Sequence, residues 1–534
     1  MRLALLSLLS LSACATLAYA QPSPLQRAET WSAHVAALSA DEMEGRAAGT
    51  PGHRRAADYV VAELRRLGLR PAGTDGYFQQ VPLSERRVDH AASSARLSAG
   101  AAATPVALPQ AAIVVAGASL PETVDAPLVF IGYGLHAPAS GHDDLAGVDL
   151  RGKIAVFISG SPPQLPGAQR AHARAQRSRF LAERGAIGSI TLITPGQLAV
   201  PWAQFASGAA EPEMILGGGE GGSAGSGGGG AQPAERPFLN MIWNPAEAQR
   251  LFAGQARTFA ELAAAAAASG SLPGFDMNAR LDGRFASVIL RSLTSPNVIA
   301  LLPGSDPALA SEHIVMTAHL DGLGVNATGD GDRINNGALD NAAGVAALLD
   351  MANLLRRQRP RRSIVFAFVT AEERGLLGST HFARNPTVPR QSIVANLNYD
   401  MALPLFPLRS VLVLGAEESS IGDAARAVGA ATGIPLSPDP FPDRNSFIRS
   451  DQYSFIQEGI PAVAFKFGFA AGTPEAEADR VFRAERYHRP SDEVTTAIFP
   501  QDEIRLHDFI VGIAMQIANA PQRPRWNSDS IFRR

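Results

Sequence analysis

From about Ser287 to the carboxyl end, short runs that are apolar along their whole length alternate with amphipathic segments. This alternation restricts the fold more than any other feature of the sequence. Asn297–Leu302, His313–Ala318, Ser363–Thr370, Ile393–Asn398, Ser410–Leu414 and Ala462–Phe467 read as strands, and Asn341–Arg357, Gly375–Arg384, Ile421–Thr432 and Asp502–Ala518 as helices. A strand with no polar face must be covered on both sides, and intervening helices supply the cover. The pattern predicts an α/β fold with a mostly parallel central sheet and helices on both faces. In such sheets ligands bind beyond the carboxyl ends of the strands, so chemistry is expected there.

The chain has 534 residues, more than one such domain uses. Trp31, Val35 and Leu38 are spaced for a helix, Gly45 and Gly49–Gly52 interrupt it, and Ala56–Leu67 resumes an amphipathic period closed by Gly68. Residues 21–125 are read as the first part of the main domain, although beyond Leu83 they are Ala/Ser-rich and poorly periodic. Residues 126–280 have short β-like runs such as Pro127–Ile131 and Lys153–Ser159, and are read as an inserted β-rich domain. Within it Gly217–Gly230 is a low-complexity loop expected to be mobile. Residues 281–534 complete the main domain.

Residues 1–20 combine Arg2, an apolar run and Ala18-Tyr19-Ala20, the features of a secretory leader cleaved after Ala20. The run is shorter than a membrane span needs, and no later segment is apolar enough to cross a bilayer. Leu11-Ser12-Ala13-Cys14 offers a second reading, a lipoprotein box with Cys14 as the anchored residue. An exported chain, periplasmic or secreted, is expected, with an outer-membrane lipoprotein as the alternative. Cys14 is the sole cysteine, so disulfides and CxxC metal sites are excluded. With 50 acidic and 47 basic residues there is no basic field for nucleic acid.

Several metal-capable side chains fall at the ends of the predicted strands or in nearby loops. They are His319 and Asp321 in AHLDGLG, Asp340 in NNGALDNAAGVAALLD, Glu372 and Glu373 after IVFAFVTA, Asp400 ending NLNYD, and His488 in RYHRPSDE. Each has an ordinary explanation alone: a helix cap for Asp340, dipole-favoured charges for the paired glutamates, an exposed loop residue for His488. Together they form a nitrogen and oxygen donor set suited to two zinc-like ions.

AHLDGLG, NGALDNAAGVA, FVTAEERGLLGS, NLNYDM and YHRPSDE, in this order, resemble the co-catalytic di-zinc exopeptidases. That family includes bacterial and yeast zinc aminopeptidases, glutamate carboxypeptidases and the transferrin receptor. The entry segment ADEMEGRAAGTPGHRRAADYVVAELRRLGLRP and the Gly459–Ala462 turn are similar to the same family. The VDLRGKIAV region is more loosely similar to the protease-associated domain often inserted in it. The resemblance implies that His319 and Asp400 hold one zinc, Glu373 and His488 the other, and that Asp340 bridges both. It implies Glu372 as general acid/base and Asp321 as the hydrogen-bond partner of the far nitrogen of His319. Two cations sharing Asp340 would lie ~3.5–4 Å apart and acidify a water between them toward a pKa of ~7. Glu372 would take the proton of the attacking hydroxide's parent water and pass it to the departing amine. Tyr487 is a candidate donor to the oxyanion, with a packed aromatic as its plain alternative.

Peptides are therefore the expected substrates, and an aminopeptidase is preferred. A glutamate-carboxypeptidase-like hydrolase is the alternative, for which Arg444 and Arg449 in PFPDRNSFIRSDQYSF would clamp a terminal carboxylate. A non-catalytic receptor on the same fold predicts lost ligands, whereas here every position is filled.

Overall fold

Four strands form the centre of the main sheet, in the order Ser363–Val369, His313–His319, Ile393–Asn398, Ala462–Phe467, and every neighbouring pair is parallel. The structure, a computed structural model, describes residues 22–533 apart from 100–101, 116–118, 163, 166, 199, 210, 218–236, 269–271 and 496–497. The leader with Cys14 and residues 218–230 of the glycine-rich loop lie outside the described residues.

The central strands alternate sides residue by residue. Ile314, Met316, Ala318, Ile364, Phe366 and Phe368 face a core shared with the helices Pro24–Leu38, Pro51–Arg66, Ala343–Gln358, Ile421–Thr432 and Pro500–Asn519. Val315, Val365, Ala367 and Val369 face a second core with Phe382 of the helix Leu377–Arg384 and Phe455 of the helix Gln452–Ile456. This is the expected α/β sheet with helices on both faces.

The sheet's margins are antiparallel. Ser287–Leu302 runs against Ser363–Val369 and continues as a ribbon with Phe78–Val88 and Glu213–Leu216, while Val411–Leu414 runs against Ala462–Phe467. The strand Ser287–Leu302 extends ten residues upstream of Asn297 because its exposed first half is held by pairing with Phe78–Val88, not by burial.

A second sheet has the order Ala102–Val106, Ser94–Ala99, Gly274–Arg284, Thr123–Ile131, Ile154–Ile158, Gly188–Leu192, Leu239–Trp243, Ala112–Val115. Its first strand in the chain starts at Ser94, upstream of the expected boundary at residue 126. Ala95, Leu97, Val106, Ala112 and Val114 are small or sparse as a sequence pattern, yet all are buried in this sheet's core. Glu213–Leu216, inside the expected insertion, belongs instead to the main sheet, where it pairs with residues 83–86.

Between the main-domain helices lies a buried charge network. The Arg27 guanidinium contacts Asp350 at 2.7 Å, and His507 Nδ1 lies 2.8 Å from the same Asp350 oxygen. The other His507 nitrogen lies 3.3 Å from Glu503, which also accepts from the Tyr399 hydroxyl. Burial opposes protonation of His507, but hydrogen bonds to Asp350 and Glu503 outweigh it and raise its pKa to about 9. The raised folded-state pKa makes this contribution complete below the unfolded value of about 6.5, and it is lost as pH rises through about 9. The shift corresponds to about 3 kcal/mol. We expect unfolding free energy to fall between pH 6 and pH 10, and the fall to be shallower in His507→Asn. Denaturant melts of both chains at three pH values measure this, and parallel slopes would remove His507 as the cause.

Candidate metal centre

His319 is the last residue of its strand, and the parallel register sets it opposite Val369. Two residues past Val369 the chain turns through Ala371 at φ +54° and delivers Glu372 and Glu373. On the other side Thr317 pairs with Asn398, after which Asp400 is two residues away. Three adjacent strand ends therefore bring four of the expected residues together. Asp340 comes from the turn Ala338–Ala342 that opens the helix Ala343–Gln358, and His488 from the loop after the helix Pro474–Glu485, at φ +60°.

The two oxygens of Asp340 face different histidines. Oδ1 is 3.2 Å from His319 Nε2, and Oδ2 is 3.2 Å from His488 Nε2. Asp400 Oδ1 completes the first group at 3.4 Å from His319 Nε2, and Glu373 Oε2 the second at 3.2 Å from His488 Nε2. Two three-residue clusters, His319–Asp340–Asp400 and Asp340–Glu373–His488, thus share one carboxylate. Bonds of about 2.0–2.1 Å at tetrahedral angles separate neighbouring ligand atoms by about 3.3–3.4 Å, close to all four distances.

Donor chemistry supports the same fit. His319 Nδ1 lies 3.2 Å from the main-chain oxygen of Asp321, which can only accept, so this nitrogen carries the proton. Nε2 then faces two carboxylate oxygens, and Asp400 Oδ1 has no hydrogen-bond donor among the described residues. Only a positive charge satisfies that convergence, either a second proton on the ring or a cation between the groups. Burial disfavours a charged His319, but Glu372, Asp340 and Asp400 hold its pKa well above the usual range. Asp340 is likewise held well below the carboxylate range, burial being overcome by His319 and His488.

Asp321 acts differently from the expectation. Its carboxylate is 3.9 Å from His319 Nδ1 and instead accepts the backbone N–H of Glu372 at 3.0 Å and of Glu373 at 3.3 Å. The carbonyl of the same residue orients the ring, because the chain folds back on His319 immediately after the strand. Glu372 is pushed well above the usual range by burial and by the Asp400, Asp451 and Glu373 carboxylates, against the pull of His319. Burial and Asp340 raise Glu373 to about 7.

Tyr487 stacks on His488 with ring centroids 3.7 Å apart, under the Arg483 guanidinium. Arg444 is committed to Asp479 at 2.7 Å and lies over the Phe441 ring, and Arg449 is exposed.

Four residues not singled out in the sequence surround the centre. Arg46 is fully buried and donates to the carbonyl oxygens of Leu38, Leu320, Asn336 and Gly337. Lys466, one of only two lysines, donates to the carbonyls of Asp400 and Met401. Asp492 accepts the N–H groups of Leu339 and Asp340. Asp451 is buried, and burial, with Asp400 and Asp321 against His319, raises its pKa to about 7. Arg46, Asp451 and Asp492 lie within the quoted segments ADEMEGRAAGTPGHRRAADYVVAELRRLGLRP, PFPDRNSFIRSDQYSF and YHRPSDE, the one signal by which sequence reading could have reached them.

Residues 297–510 match the family model described as peptidase family M28. An aminopeptidase of Pseudomonas aeruginosa is 36% identical over 115 residues, 21% of this chain and 19% of that protein. A probable leucine aminopeptidase 2 of Aspergillus fumigatus is 29% identical over 217 residues, 38% of this chain and 40% of that protein. The chain therefore spans well under half the length of these curated relatives. Among solved structures, the aminopeptidase from Aneurinibacillus sp. strain AM-1 aligns over 93% of this chain and 95% of its own, at 20% identity and TM-score 0.46.

Proposed function

We propose, with residues 297–510 as a segment of peptidase family M28, that the chain is an exported zinc-dependent exopeptidase acting as an aminopeptidase. The observation that carries this reading is the division of Asp340 between two histidines, each with its own second carboxylate. His319, Asp340 and Asp400 would hold one zinc, and Asp340, Glu373 and His488 the other. When bound, the pair would supply a Lewis acid for the peptide carbonyl and an acidified water.

The protein's own groups do the rest. Glu372 sits beside the ligand Glu373, with both backbone N–H groups fixed by the Asp321 carboxylate. Its side chain takes the proton of the attacking water and delivers it to the departing amine. Burial and surrounding carboxylates favour its protonated form, which suits the second half of that cycle. Tyr487 donates to the developing oxyanion from beside His488. The inserted unit, similar to a protease-associated domain, restricts entry to short peptides.

One side-chain commitment favours the aminopeptidase reading. Of the two arginines that could clamp a terminal carboxylate, Arg444 is spent on Asp479, which removes half of the clamp the carboxypeptidase alternative needs. No helix among the described residues is long and apolar enough to cross a membrane, in keeping with export through the leader at residues 1–20.

A panel of amino-acid p-nitroanilides beside N-blocked peptides with free carboxyl ends tests the proposal. We expect hydrolysis of the p-nitroanilides alone, lost on chelation and restored by zinc. Cleavage confined to the N-blocked peptides would overturn the aminopeptidase assignment, and activity indifferent to chelation would overturn the metal centre.

A further inference from the structure

We propose that Asp492 is a positioning residue that presets the bridging carboxylate and thereby sets the affinity for the second metal ion. The inference rests on the metal-centre reading above and adds to it a residue outside the donor set. Asp492 is 1% exposed, and both of its carboxylate oxygens are engaged. Oδ1 accepts the N–H of Leu339 and Oδ2 the N–H of Asp340, each at 3.0 Å, while the Asp492 carbonyl accepts the N–H of Ala338, also at 3.0 Å. Three successive N–H groups of the turn carrying Asp340 are thus held by one residue.

That turn is irregular. It enters through Gly337 at φ +59°, and Asp340 and Asn341 depart from helical geometry at φ −119° and −136°. The N–H groups of Ala338, Leu339 and Asp340 lie at the start of the helical segment, where no earlier helical carbonyl is available, so an external acceptor is required. A carboxylate accepting two N–H groups in parallel fixes direction as well as distance. The direction matters, because a rotation about the Asp340 backbone would withdraw one oxygen from its histidine while advancing the other.

The same residue also anchors the opposite side of the centre. Asp492 lies four positions after His488, and its N–H closes a turn onto the Arg489 carbonyl. It therefore ties the His488 loop directly to the Asp340 turn, the two segments that supply the second group of donors with Glu373. The first group has an independent support, since His319 is held by its strand and by the Asp321 carbonyl. Losing Asp492 should consequently weaken the Asp340–Glu373–His488 site more than the His319–Asp340–Asp400 site. Outer partners of metal ligands typically change affinity by 10–100-fold.

Zinc titration of the metal-free full chain against a chromogenic chelator measures the two affinities without reference to catalysis. Asp492→Asn retains one acceptor and turns a donor toward the other N–H, and Asp492→Ala removes both. We expect the zinc of the Asp340–Glu373–His488 site, identified as the one lost in His488→Ala, to bind about 10-fold and about 100-fold less tightly, respectively, with the other zinc changed by less. Denaturant unfolding of the metal-free variants accompanies the titration. A residue of purely structural importance would lower the unfolding midpoint and leave the native chain's zinc affinities untouched, and that result would overturn the proposal. Equal losses at both sites would overturn it as well. If the unaltered chain takes up no zinc, the metal-centre reading fails instead, a distinct outcome visible before any variant is made.

Discussion

Glu372→Gln is expected to lower kcat by about 10²–10⁴-fold while the chain still binds two zinc ions. The substitution is nearly isosteric, and the Glu372 backbone N–H that anchors the loop to Asp321 is untouched, so the fold and the strand-end geometry should persist. What disappears is the capacity to accept a proton. The experiment also separates two ways of using the adjacent glutamates. His319, Glu372 and Glu373 have donor atoms within 4.8 Å of one another and could themselves form a metal group. If Glu372 were a ligand, the variant would lose zinc together with activity. Retained zinc with lost turnover assigns it to proton transfer. Full activity in the variant would place the base elsewhere, and the buried Asp451, whose carboxylate raises the Glu372 pKa, would be the next residue to test.

Much of the centre was legible because the chemistry and the fold signal occupy the same few residues. The apolar run ending at His319 announces both a strand and the residue at its tip, and the same holds for Val369 before Glu372 and Asn398 before Asp400. The apolar strands also fixed the parallel centre, since burial on both faces leaves few alternatives. The margins were less legible, because Ser287–Ser295 and Phe78–Val88 stabilise one another through pairing rather than through an apolar pattern. The second sheet's start at Ser94 was hidden for a related reason: alanines carry little of the periodicity that marks a strand.

Roles exercised through the backbone were hidden altogether. A sequence shows that Asp321 has a carboxylate, but not that its carbonyl will meet His319 while the carboxylate turns to Glu372 and Glu373. Asp492 binds main-chain groups some 150 positions away, and nothing about a peptide N–H identifies its partner in advance. Motif spacing finds side chains that meet each other at the metal; it does not find those that hold the loops in place.

Arg46 is the extreme case of such a residue, and Arg46→Met is expected to cost about 4 kcal/mol or more of stability. Among the described residues its guanidinium hydrogen bonds all end on main-chain carbonyls: Leu320 at 3.0 Å, Leu38 and Asn336 at 2.6 Å, Gly337 at 2.9 Å. These oxygens belong to the first helix's end, the residue after His319 and the turn entering Asp340, so one guanidinium joins three segments far apart in sequence. The site was made for it by the backbone. Gly45 and Arg46 lie consecutively at φ +61° and +53°, and a Cβ at Gly45 would come within 2.6 Å of the Asn335 carbonyl. The Gly337 carbonyl keeps the Ala342 N–H, but those of Leu38, Leu320 and Asn336 lose a donor, and each buried carbonyl left unpaired costs about 1–3 kcal/mol, partly offset because methionine carries no charge to bury. The substitution also withdraws a cation from beside Asp492, Asp321 and Asp340, so the acidic cluster should depend more strongly on bound metal. Arg46→Lys keeps the charge but lacks the planar fork that spans four acceptors, and should fall between the two. Denaturant unfolding with and without zinc measures both effects. A loss below about 1 kcal/mol in Arg46→Met would show that the three segments are held by their own packing. A larger loss that zinc narrows would show that the guanidinium and the metal ions stabilise the same strand-end loops.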